Sequence, residues 1–72
     1  MPKSLQDQLI AIVKQITDAD RRIGDQIGLV ESMAWDGRDT RQAMSLLADL
    51  ERFVGVLEER RASIEDQIRR QK

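Results

Sequence analysis

One short stretch near the midpoint, Asp36-Gly37-Arg38-Asp39-Thr40, constrains this chain more than any other. It reads as the stop of one helix and the start of another. Gly37 suits the C′ position, because a left-handed backbone costs glycine nothing and lets its N–H close onto the last carbonyls. Asp39 is placed to act as N-cap for the second helix, with Gln42 three residues on to complete a capping box. Both flanks carry apolar residues at helical spacing for about thirty residues, so the expectation is an all-α hairpin of two similar arms.

The first arm opens at Ser4, a good N-cap, after the lead-in Met1-Pro2-Lys3. Its apolar stripe is Leu5, Leu9, Ile12, Ile16, Ala19, Ile23, Ile27, Val30 and Ala34, widened by Val13. Steps of three and four place these residues on one helical face. The second stripe is Ala43, Leu46, Leu47, Leu50, Phe53, Val54, Leu57, Ile64 and Ile68, and that arm ends in Arg69, Arg70 and Lys72, which suit the negative end of a helix dipole. The expected organisation is a single domain over 1–72: a helix over about 4–35, a turn at 36–39 and a helix over about 40–70. A lone hairpin of 72 residues has a thin core. The expected remedy is a homodimer, an antiparallel four-helix bundle of two chains, or docking on another helical protein.

Two features interrupt the pattern. Asp20 falls inside the first stripe and Arg61 inside the second. Either each reaches water from an opened seam, or the two meet as a buried polar pair, within the hairpin or across a dimer, and fix register. Gly24 and Gly28 lie on a flank of the first helix, where each costs about 1 kcal/mol relative to alanine. Ile10, Thr17 and Trp35 share that flank, which is a second candidate surface for a close helix approach; the alternative is glycine tolerated on a solvated face.

Composition excludes more than it identifies. The chain has no cysteine, histidine or tyrosine. That removes disulfides, the usual zinc sites and the common nucleophile–base pairs, so no catalytic, cofactor-binding or metal residue is expected, and no small-molecule substrate. Twelve basic and thirteen acidic residues interleave to a net charge of −1, without the field that draws a protein to nucleic acid or an acidic bilayer. The pairs Arg21-Arg22, Arg60-Arg61 and Arg69-Arg70 are each diluted by acidic neighbours, and nucleic acid is the minority expectation. The longest apolar run, Leu9 to Val13, is too short to span a bilayer and does not read as a signal peptide. A non-enzymatic, cytoplasmic protein–protein interaction module is expected, with a structural subunit of a larger assembly as a further alternative.

The stretch from Arg21 to Ile68 resembles a family of short, functionally uncharacterised bacterial proteins. In these an Arg-rich helix leads to a D-G-H-D-T turn, then A-x-x-L-L and a second amphipathic helix. Here the matching residues are Asp36-Gly37-Arg38-Asp39-Thr40, then Ala43, Leu46 and Leu47. The resemblance implies a helical hairpin and no activity. Arg38 stands where the family has histidine, so no role of that histidine carries over. At the level of architecture the chain also looks like plasmid RNA-binding regulators built as a dimer of helical hairpins, a likeness that bears on shape alone.

Overall fold

A computed structural model describes residues 4–71. The lead-in Met1-Pro2-Lys3 and the terminal Lys72 lie outside the described residues. Two helices, α1 over Leu5–Trp35 and α2 over Arg41–Arg70, lie side by side as an antiparallel hairpin about 56 Å long. Ser4 caps α1 as its chemistry suggests: its hydroxyl accepts from the Asp7 backbone N–H at 3.1 Å, and the Asp7 carboxylate sits in the positively polarised first turn.

The turn closes through Gly37, the one described residue with positive φ, at 74°. Its N–H donates to the Ala34 carbonyl at 3.1 Å, and the Arg38 N–H donates to Met33 at 2.8 Å. These are the two bonds of a Schellman motif, and they satisfy carbonyls that the helix end would otherwise leave without partners. A Cβ at Gly37 would meet nothing within 4 Å, so only the backbone conformation penalises a side chain there. Gly37→Ala is therefore expected to destabilise the protein by about 1 kcal/mol, read as a lowered thermal midpoint at fixed protein concentration. An unchanged midpoint would mean that the helix stops by other means.

The start of α2 differs from the expected capping box. Thr40, not Asp39, is the N-cap residue, and its hydroxyl makes no capping bond to the backbone. Asp39 acts one position earlier, its Oδ1 accepting from the Arg41 N–H at 3.0 Å. The Arg41 guanidinium then grips the same carboxylate through Nε (3.1 Å) and Nη2 (2.7 Å). With Thr40 at the N-cap, Gln42 is one position too early for the N3 place of a capping box, and it makes no reciprocal bond back to Asp39. The guanidinium, and then the Arg41 N–H, hold the Asp39 carboxyl below the usual carboxylate range. Its share in ordering the turn is thus present above the unfolded value and lost as pH falls through the lowered folded one. At the other end of α2, Arg69 and Arg70 both reach Asp66 (3.5 and 3.0 Å) in the last turns.

Most buried and half-buried residues fall on one alternating series along each helix, with Ala11 and Asp66 half-buried beside it. In α1 they include Leu5, Leu9, Ile12, Ile16, Ala19, Ile23, Gln26, Val30 and Met33; in α2, Ala43, Leu47, Leu50, Val54, Leu57, Ile64 and Ile68. Steps of four and three alternate throughout α1 and from Ala43 to Leu57 in α2, where the exposed Arg61 holds the next position before Ile64 and Ile68, giving a repeat of about 3.5 residues rather than 3.6. The core cluster is Ile12, Ile16, Ala19, Val54, Leu57 and Ile64, with Leu9, Ile23 and Ile68 against it, in the middle and open half of the hairpin. Toward the turn the seam holds Gln26 and Ala43. The repeat corrects five stripe positions: Val13, Ile27, Ala34, Leu46 and Phe53 are exposed. It brings in Gln26 and Met33 instead.

Candidate functional site

Asp20 and Arg61 do not form a buried pair within the hairpin; both are exposed. Arg61 occupies a seam position between Leu57 and Ile64, and its long side chain carries the guanidinium outward to Glu65, with Nε 3.4 Å from Oε1. Both members of that pair are about half exposed, so solvent screens it. Asp20 follows the buried Ala19 and points out of the seam, which is why the stripe tolerates a charge there.

The polar group that the seam does bury is Gln26. Its Nε2 donates to the Ala43 carbonyl across the two helices at 2.8 Å, and no buried side-chain polar atom among the described residues lacks a partner. Reading the stripe by hydrophobicity favours Ile27 over Gln26; the alternating steps from Leu5 to Ile23 point to position 26.

The second candidate flank on α1 has no neighbour in the hairpin. Ile10 is 68% and Trp35 91% exposed, and Thr17 turns its hydroxyl back to the Val13 carbonyl at 3.1 Å. A Cβ at Gly24 or Gly28 would meet nothing within 4 Å, so no contact within the hairpin requires either glycine.

Two long faces flank the seam. On one, Arg22 and Phe53 border a shallow depression with Gln15 and Asp18; Leu29 and Leu46 border another toward the turn; Gln15 and Arg60 a third toward the open end. We call this the Phe53 face. On the opposite face Glu58, Arg61 and Glu65 line one depression, and Leu9, Ala62 and Glu65 another. By the seam repeat, Val13, Asp20 and Ile27 of α1 and Met44 and Glu51 of α2 share that side. We call it the Glu58 face. Nine large apolar side chains among the described residues remain at least 40% exposed. Scattered exposed apolar groups are ordinary, but here they gather beside the seam on both faces and on the outer flank of α1.

None of these depressions is an enclosed cavity with convergent polar groups. No set of three or more Asp, Glu, His or Cys side chains among the described residues is placed to hold a metal ion. No described helix is long and apolar enough to cross a membrane. Comparison with models of protein families, with curated proteins and with solved structures returns no match.

Proposed function

We propose that this chain is a non-enzymatic protein–protein interaction module, a small cytoplasmic adaptor or regulator whose helical faces dock on other helices. One observation carries the reading: the two helices pack through a thin seam, yet leave apolar side chains exposed along both faces beside it. Buried area in a two-helix fold is limited by geometry, and adding helices is the direct way to cover such stripes. The alternating seam fits packing of the coiled-coil kind, in which further helices join with side chains interdigitating at the same repeat.

The test is chemical cross-linking in the cells that make the protein, followed by mass spectrometry, with the native chain and an Ile27→Glu/Phe53→Glu variant as paired baits. Specific cross-links to a helical protein, or to the chain itself, should form with the native bait and fall at least tenfold with the variant. Equal recovery by both baits would overturn the reading. So would salt-sensitive retention of RNA or DNA by the purified chain, the signature of phosphate contacts.

A further inference from the structure

We propose that the Phe53 face is where a second copy of this chain docks, two hairpins packing through it as a symmetric four-helix assembly. This rests on the interaction-module reading and names one partner for it. Leu29, Leu46, Phe53 and Val56 stand about half exposed on this face and its flank, between the turn and the middle of the hairpin. The Glu58 face also carries apolar groups, so hydrophobicity alone does not choose between the two sides.

Charge does. A two-fold interface sets one surface patch against its own copy, so a face of a single sign opposes itself and a face of both signs can complement itself. The Glu58 face presents Asp20, Glu51, Glu58 and Glu65, and its two cations are already committed within the hairpin, Arg61 to Glu65 and Arg69 to Asp66. Packing it on its copy would press carboxylates together. The Phe53 face and its margin present Arg22 and Arg60 beside Asp18 and Asp25. None of these four is in an ion pair within the hairpin among the described residues, so each can meet an opposite charge from the second copy. The face runs the 56 Å length of the hairpin at a breadth of 18 Å, the span over which paired hairpins pack in a four-helix assembly.

The experiment is sedimentation equilibrium on the full chain from one to several hundred micromolar, with circular dichroism to check helicity. The native chain should sediment at twice its 8.3 kDa mass. Ile10→Glu, away from the proposed interface, should do the same. Phe53→Glu should dissociate at least tenfold more readily while keeping its helices, because Phe53 is already half in water within the hairpin. Leu46→Glu probes the same face at a second position and covers the case in which Phe53→Glu disturbs folding. A native chain that stays monomeric throughout the range overturns the proposal and leaves the heterologous partner of the cross-linking experiment untouched. Dissociation by Ile10→Glu, with both Phe53-face variants still dimeric, overturns it by placing the contact elsewhere.

Discussion

Leu57→Ala should lower the unfolding free energy by roughly 2–5 kcal/mol, the range for large-to-small truncation in a packed core. Leu57 is 2% exposed, the most completely buried of the core side chains, and it belongs to the cluster with Ile12, Ile16, Ala19, Val54 and Ile64. In a chain of this size the total stability is on the order of 4–11 kcal/mol, so this one truncation removes a large share of it. The seam is one layer deep, and no second shell of side chains can move in to fill the space. Urea titrations followed by circular dichroism, at a single protein concentration so that association does not enter the comparison, measure the change. A loss below about 1 kcal/mol would mean that the seam relaxes around the smaller side chain, contrary to the packing described.

Arg61→Leu should change stability in the opposite direction, raising it by about 1–2 kcal/mol. Leu57, Arg61 and Ile64 occupy consecutive seam positions, and the arginine alone among them sends its head group away. Leucine at that site continues the apolar seam toward Leu9 and Ile68. What is lost is a solvent-exposed pair with Glu65, of a kind that contributes between nothing and about 1 kcal/mol. Glu65 keeps its access to water, so no charge is stranded. The same urea titration decides the sign. Destabilisation by about 3 kcal/mol or more would show that the guanidinium is desolvated and paired, contrary to its exposure in the hairpin.

How far the fold could be read from the residues depends on how local the determining physics is. The Ser4 cap, the Gly37 stop and the two long amphipathic helices come from chemistry within a few residues, and all stand as read. Gln26 and Ile27 could not be separated that way. Hydrophobicity favours isoleucine, and only contact with a second helix, which enforces alternating steps of four and three, brings the glutamine inward. The second helix starts one residue later than the Asp39 cap implies for a related reason: Arg41 engages the carboxylate from the side, and capping preferences alone hold nothing about that grip. Arg61 has an acidic residue four positions on, a spacing at which helical side chains meet, and Glu65 was therefore legible as its partner. The segregation of charge between the two faces becomes visible only once the helices are set in register.

The placement of Trp35 has a consequence for how this molecule can be watched. It is the chain's one indole, with no tyrosine beside it, and it stands 91% exposed at the end of α1. Its emission in the folded protein should be that of a ring in water, so unfolding is expected to move the spectrum little, and the amide signal of the helices has to report stability. The same exposure makes the ring a selective sensor for contact at the turn. A helix or subunit settling over that end of the hairpin would exclude solvent from the indole and shift its emission to the blue. Association along the middle of either face would leave the fluorescence where it was.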